Sequence, residues 1–260
     1  MTDEPPFGSL NSPKKAWEDT MENETIEELV GYLGKIGNRT RFFGRREMTV
    51  SEIAQWRAKN VYGHLTKDVK LILVNACLAW RNPFVKKVKP RLIRVEKRFP
   101  DVQTLEGLRD LMERLGDDFN VEFWDFKSER RKEMLRGLVT AFIEYKKRND
   151  IQDDFEAIRH WATQARPEEY QKGIDGHDVT CLGLANFQYL RMLCGVDTIK
   201  PDKHIMDGVA EALGFPKQGW EVIKLAEQAA KQMGKSVLEI DQLFWVSRAV
   251  EIPPPEWYNE

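Results

Sequence analysis

The chain of 260 residues is 42% hydrophobic and 32% charged, with a formal net charge of −2. This balance is that of a globular protein and excludes an intrinsically disordered chain. It also excludes a surface that is basic all over, although it permits a local basic patch.

The N-terminal residues carry Pro, Asp, Glu, Asn and Ser, and they lack the apolar core of a secretory signal peptide. We therefore expect a flexible N-terminal tail over residues 1–20 and a protein that is not secreted. No apolar run approaches the roughly 18 residues that a membrane helix needs, so no membrane partner is expected.

The dominant hydrophobic period along the chain is helical. Thr25–Glu28 and Ser236–Glu239 both have the spacing of a capping box at a helix start. Leu71–Trp80 is apolar nearly all round and predicts a buried helix, and Gly116 follows an amphipathic stripe as a helix end. Because no convincing stretch alternates with period two, the sequence predicts an all-α fold of about ten helices.

Several chemical motifs are missing from the sequence. It contains no GxxxxGK[ST] phosphate loop, no HExxH zinc helix and no CxxC pair. Its three cysteines, Cys77, Cys181 and Cys194, lie in apolar stretches, as buried free thiols do. The sequence therefore predicts neither a bound metal nor an organic cofactor.

Basic residues cluster in short runs. The stretch from Lys86 to Arg98 holds seven basic residues against one glutamate, and further runs follow at 130–132 and 146–148. A single run of this kind is most often a solvated helix face. A shared basic face that attracts nucleic acid is the alternative.

The stretch from Cys181 to Val209 carries the most specific signal. Leu182–Ala185 predicts a tight turn between two helices, the second of them running from Asn186 to Leu193. Asp202 then opens a further helix behind Pro201. Taken singly, the turn is compatible with an ordinary helical hairpin and Asp202 with an ordinary N-cap.

Taken together, LGLANFQY and the later KPDKHI resemble the hairpin and the aspartate motif of the helix-hairpin-helix DNA glycosylase superfamily. The upstream segment LILVNACLAWRNPFVKKVKPRLIRVEKRFPDVQTLEGLRDL is similar to the early helices of that superfamily. ERRKEMLRGLVTAF is similar to its helix with a basic start, so the likeness covers roughly 71–214. It implies a two-lobed fold with an active-site cleft between the lobes. A barrel-like lobe with the hairpin would span 71–200, a second lobe would combine 24–70 with 201–250, and 251–260 would form a C-terminal tail.

The resemblance also implies roles for individual residues. Asp202 stands at the position of the catalytic aspartate. Ala185 stands where a second hairpin glycine is usual, and Phe187 replaces the lysine of the members that form a Schiff base. The implied base pocket or wedge residues are Trp80, Arg81, Asn82 and Phe187. The implied phosphate contacts are Gly183, Ala185, Lys86, Lys87, Arg131 and His204.

The function that this resemblance implies is excision of a damaged or modified base from double-stranded DNA by base flipping and hydrolysis of the N-glycosidic bond. Phe187 favours a monofunctional enzyme, and a cofactor-free monomer in the cytoplasm, at the nucleoid, or in the nucleus is expected. A catalytically inactive DNA-binding protein of the same fold and a helical interaction protein without a DNA role are the alternatives.

Overall fold

A computed structural model describes residues 13–61, 67–79 and 82–255 of the chain. These residues are mostly helical, which confirms the all-α prediction in its coarse form. The described α-helices are α1 (Pro13–Gly37), α2 (Val50–Val61), α3 (Val69–Leu78), α4 (Lys89–Arg98), α5 (Leu105–Leu115), α6 (Phe119–Glu122), α7 (Glu129–Arg148), α8 (Asp154–Gln164), α9 (Leu184–Leu193), α10 (Lys203–Leu213), α11 (Gly219–Met233) and α12 (Val237–Arg248). The described non-α elements are strands β1 (Thr40–Phe43) and β2 (Arg46–Thr49), a π-helical turn (Phe84–Val88), and two 3-10 helices (Gly116–Asp118 and Pro167–Lys172).

The buried apolar side chains form two clusters. The first core runs from Val69 to Cys194 and is built by α3 to α9. The second core combines α1, the β-hairpin and α2 with Ile199 and α10 to α12. Both cores are made from segments close to those predicted for the two lobes, whose status as domains stays a prediction.

The two cores contact each other through side chains at helix starts. Leu184, at the start of α9, packs against the second core, and Leu238, at the start of α12, packs against the first. Between the cores, the Asp197 carboxylate accepts the amide hydrogens of Val237 at 3.1 Å and Leu238 at 2.8 Å. The loop that leaves α9 is therefore bonded to the N-terminus of α12.

Local helix signals in the sequence are confirmed where neighbouring residues alone decide the conformation. Ser236–Glu239 forms a capping box at the start of α12, Gly116 ends α5, and Asp202 is the N-cap of α10. The Thr25–Glu28 spacing, in contrast, lies inside α1 and starts no helix. All three cysteines are free, as expected.

Three sequence predictions need correction. Helix α1 begins at Pro13, so the tail predicted over 1–20 is wrong for 13–20. The short antiparallel hairpin β1–β2 was not predicted, because four-residue strands are too short for a period-two pattern to show. In the tail predicted over 251–260, Ile252 and Pro253 are buried rather than free.

We expect Gly208→Ala in α10 to destabilise the protein. A Cβ at this position would lie 2.4 Å from Cδ1 of the buried Phe244 ring in α12. The overlap should cost more than the roughly 1 kcal/mol that alanine adds to helix propensity, giving a net loss of about 1 kcal/mol or more. Gly31→Ala in α1, where nothing lies within 4 Å, should instead stabilise by roughly 0.5–1 kcal/mol. Thermal melting of both variants tests this, and an equal effect at both sites would contradict it.

Candidate functional site

The segment that leads into α9 differs from the predicted helical hairpin. It consists of the 3-10 helix Pro167–Lys172 and an irregular stretch up to Gly183, with no α-helix. At the predicted turn before α9, Cys181 has a positive φ of 66°, whereas Gly183 is extended with a φ of −74°. A tight turn interrupts the segment at Gly173, where a Cβ would lie 1.8 Å from the His177 carbonyl oxygen. The first helix of the predicted hairpin is therefore wrong, because Pro167 and this turn disfavour a regular α-helix.

The start of α9 keeps one feature of an anion site. Gly183 is the exposed N-cap residue, and no side chain caps the helix. Among the described residues, no group accepts the amide hydrogens of Leu184 and Ala185. A Cβ on Gly183 would meet nothing within 4 Å. Two amide donors at an open helix N-terminus can bind a phosphate oxygen.

Asp202 is fixed at the start of α10 by its own backbone environment. Its Oδ1 accepts the amide hydrogens of His204 at 2.9 Å and Ile205 at 3.4 Å. The residue is half-buried, and its Oδ2 accepts no hydrogen bond from the described residues. Asp202 is thus an N-cap that leaves one carboxylate oxygen available to a ligand.

The loop that carries Asp202 is held from α12 by Asp241, which is 5% exposed. Asp241 Oδ1 accepts the Lys200 amide hydrogen at 3.0 Å, and its Oδ2 accepts Gln242 Nε2 at 2.8 Å. Gln242 Oε1 in turn accepts Arg57 Nε at 2.8 Å, and the Arg57 guanidinium lies 4.1 Å from the centre of the Trp245 ring. A buried polar chain therefore connects α2 and α12 to the loop.

The side chain of Lys200 extends this arrangement into the first core. Its amine lies 4.3 Å from the centre of the Tyr189 ring on α9. The Tyr189 hydroxyl donates to Asn75 Oδ1 on α3 at 3.2 Å. Asn75, Tyr189, Lys200, Asp202 and Asp241 form what we call the polar cluster. It lies where the two cores meet.

Burial changes the proton affinities of three groups in the polar cluster. Burial and, to a lesser extent, the Asp202 charge raise the pKa of Asp241 to about 7, against the opposing hydrogen bond from the Lys200 amide. Burial lowers the pKa of the Lys200 amine below its ordinary value, while Asp202 and Asp241 oppose that shift. Burial also raises the pKa of Tyr189. A carboxyl group that titrates near neutral pH can exchange protons with a reacting group.

Two of the predicted wedge residues, Trp80 and Arg81, lie outside the described residues. Asn82 is half-buried, and its side-chain amide donates to the Leu78 carbonyl at 2.8 Å, closing the end of α3. This bond occupies one of the two amide hydrogens of Asn82.

The predicted phosphate contacts have different environments. Lys86 and Lys87 are exposed on the π-helical turn, and the Lys86 amine lies 3.4 Å from Glu251. His204 is exposed at the first turn of α10. The Arg131 guanidinium is half-buried, and its Nε donates to the Cys77 carbonyl at 3.1 Å. Lys86, Lys87 and His204 can reach a ligand, whereas Arg131 also supports the last turn of α3.

Part of the basic run at 86–98 is used inside the fold. Arg91 donates to the Asp125 carbonyl at 3.1 Å, Arg94 to the Val121 carbonyl at 3.4 Å and Arg98 to the Glu122 carbonyl at 2.9 Å. These arginines attach α4 to the chain around α6. Sequence reasoning missed this role, because carbonyl acceptors leave no mark in the residue pattern.

The structure contradicts the assignment of Phe187 to a base pocket. Its side chain is 2% exposed and lies within the first core. Its ring makes an edge contact with Trp161 at 5.2 Å between centroids, and Trp161 makes a second one with Phe142 at 5.3 Å. A ring enclosed in this way presents no face to a flipped base.

The described residues contain no group of three or more His, Cys, Asp or Glu side chains placed to hold a metal ion. Among their helices, none is both long enough and apolar enough to cross a membrane.

Asp241→Asn should change how stability depends on pH. Because the folded protein binds the Asp241 proton up to about pH 7 and the unfolded chain releases it at the ordinary value of 3.8, this group favours folding most at low pH. Its contribution falls as pH rises to about 7, with a slope approaching roughly 1.4 kcal/mol per pH unit. Denaturant unfolding between pH 5 and 8 should show this loss for the natural protein and not for the variant. Parallel pH profiles would contradict the assignment.

Comparison with known proteins gives one family and no named relative. A family model described as Domain of unknown function (DUF8548) matches residues 85–249. Neither a curated protein nor a solved structure matches the chain. The matched range includes α4 to α12 and thus four of the five residues of the polar cluster, all but Asn75. Because the match covers more than half of the 260 residues, the chain belongs to the family described as Domain of unknown function (DUF8548).

Proposed function

We propose that this protein is a monofunctional DNA glycosylase with a two-lobed helix-hairpin-helix type of fold. It would excise a damaged or modified base from double-stranded DNA. The observation that carries the proposal is the Asp202 carboxylate. One of its oxygens is fixed by the start of α10, and the other accepts no hydrogen bond from the described residues, at the junction of the two cores.

The chemistry needs a fixed negative charge next to the sugar. When the bond between C1′ and the base nitrogen breaks, its electron pair leaves with the base and positive charge develops on the sugar ring. Asp202 would stabilise that charge, and water would then add to C1′ and release a proton. Asp241 lies close enough for the Asp202 charge to raise its pKa, so Asp241 would hold its proton while Asp202 carries the negative charge at the sugar.

Two groups of donors would bind the DNA backbone. The free amide hydrogens of Leu184 and Ala185 point out of the open start of α9. Lys86 and Lys87 are exposed on the π-helical turn of the first core. Phosphate contacts of this kind supply affinity and register without reading sequence.

One observation favours the alternative of a DNA-binding protein without catalytic activity. The segment before Gly183 lacks the first α-helix of the predicted hairpin, so the phosphate site rests on α9 alone. A panel of duplexes, each with one altered base, separates the two functions. A glycosylase produces alkali-labile abasic sites in at least one duplex, whereas a silent binder produces none.

Asp202→Asn should reduce single-turnover excision on the order of a hundredfold or more, because it removes the charge that stabilises the transition state. Folding should be almost unchanged, since asparagine caps a helix about as well as aspartate. DNA affinity should also persist, because phosphates provide most of it.

Asp153→Asn is the matched control. Asp153 caps α8 by accepting the Glu156 amide hydrogen at 2.8 Å, the same local role that Asp202 has in α10. The Asp153→Asn variant should have about the same melting temperature as Asp202→Asn, and it should excise the base at the natural rate. Equal excision by the two variants would reduce Asp202 to a helix cap.

Gly183→Ala tests the phosphate contact at α9. The backbone is extended and the space around the new methyl group is empty, so the free energy of unfolding should change by less than about 1 kcal/mol. The methyl group would meet only a ligand, so affinity for a short duplex should fall roughly tenfold. Fluorescence anisotropy measures this, with Gly31→Ala as the control. Unchanged affinity would remove the start of α9 from the interface.

A further inference from the structure

We infer that the β-hairpin, together with Arg39, is a second DNA-binding surface of this protein. Its arginines would contact phosphates, and Phe42 would contact sugar or base edges. We call residues 39–49 the arginine hairpin. The inference rests on the proposed function and adds a surface to it, outside the residues 85–249 that the family model matches.

The arginine hairpin carries a concentrated and uncompensated positive charge. Between residues 39 and 49 the chain has four arginines and one glutamate. Arg39, Arg45 and Arg46 are exposed, and no carboxylate of the described residues lies within 4 Å of their guanidinium groups. The Glu47 carboxylate already accepts the Thr40 hydroxyl at 2.7 Å. Three guanidinium groups without a carboxylate partner on one small element create a local positive potential that attracts a polyanion.

The two neighbouring phenylalanines of β1 point to opposite sides of the hairpin. Phe43 is buried and makes an edge contact with Trp56 at 5.0 Å. Phe42, in register with Glu47, is 70% exposed. The fold therefore uses Phe43, whereas a large aromatic surface at Phe42 remains in solvent.

The hairpin is held rigidly on the second core. Arg41 donates to the carbonyl oxygens of Val246 at 2.8 Å, Ser247 at 3.5 Å and Val250 at 3.5 Å. Val246 follows Asp241 by five residues on α12, a rise of about 7.5 Å along the helix. The single helix α12 thus contacts both the hairpin and the loop that carries Asp202.

The hairpin also adjoins the lysines of the first core. A cavity of about 560 Å³ separates it from the C-terminal segment, and Phe42, Gly44 and Glu251 contribute to its lining. Glu251 in turn pairs with Lys86 at 3.4 Å. Lys86 of the first core is therefore linked to the hairpin region through the side chain of Glu251.

Duplex DNA matches this surface better than other anionic partners. A two-stranded β-ribbon fits the major groove, arginines contact the flanking phosphates, and an exposed aromatic side chain contacts the apolar edges between them. An anionic membrane is the other source of negative charge, and the experiment includes it.

The experiment uses the full chain with Arg39, Arg45 and Arg46 all changed to Gln. Binding of a 20-base-pair duplex is measured by anisotropy over a salt series. Loss of three phosphate contacts should make the negative slope of log K against log salt shallower by about 2.7. Phe42→Ala should weaken binding with the slope unchanged. Changing Arg109, Arg159 and Lys172 to Gln removes the same charge from exposed positions of the first core and should keep the natural slope. Melting curves verify folding of every variant.

An unchanged affinity and slope in the triple arginine variant would overturn the inference, as would a natural protein that binds no duplex. Loss of binding to phosphatidylserine vesicles with intact DNA binding would assign the hairpin to a lipid surface and overturn it as well. The outcome is separable from the proposed function. Base excision with an unchanged slope refutes the hairpin alone, and a shallower slope in the triple variant without excision on any duplex refutes the glycosylase alone.

Discussion

A buried carboxylate, Asp241, determines where the central loop of this protein lies. One of its oxygens accepts the Lys200 amide and the other accepts Gln242, whose own carbonyl accepts Arg57. The carboxylate therefore holds the Lys200 loop against α12 directly, and α2 is joined to the same place through Gln242. Without it, the Lys200 amide would lose a partner that is already out of water, at a cost of about 1–3 kcal/mol.

The hydrogen bond between the Lys200 amide and Asp241 joins the two cores as well as holding the loop. Asp241 belongs to α12 in the second core, whereas Lys200 carries its amine across to Tyr189 and, through it, to Asn75 in the first core. A carboxyl group in so dry a place has a raised pKa because water no longer stabilises its charge. The same dryness strengthens the charge interactions of the buried groups around Asp241.

The sequence is sufficient for features that neighbouring residues decide. Asp202 could be predicted as a helix start because its amide partners are two and three residues away. Asp241 could not be found as a partner of Lys200, since the two are 41 residues apart and the bond ends on a main-chain amide. The resemblance placed Phe187 in a base pocket, yet apolar character alone does not tell a pocket wall from a core residue. The ring partner Trp161 settles that question only in three dimensions.

The contacts that attach the arginine hairpin tolerate substitution on one side only. Arg41 binds main-chain oxygens, and every amino acid carries one. Ser247 and Val250 can therefore be exchanged for most residues without displacing the hairpin. Arg41 has no such freedom, because a lysine ammonium on a flexible stem does not reproduce the planar fork that reaches several carbonyls together. Substitutions should therefore accumulate at the residues that provide the carbonyl acceptors, whereas selection should conserve Arg41, the donor.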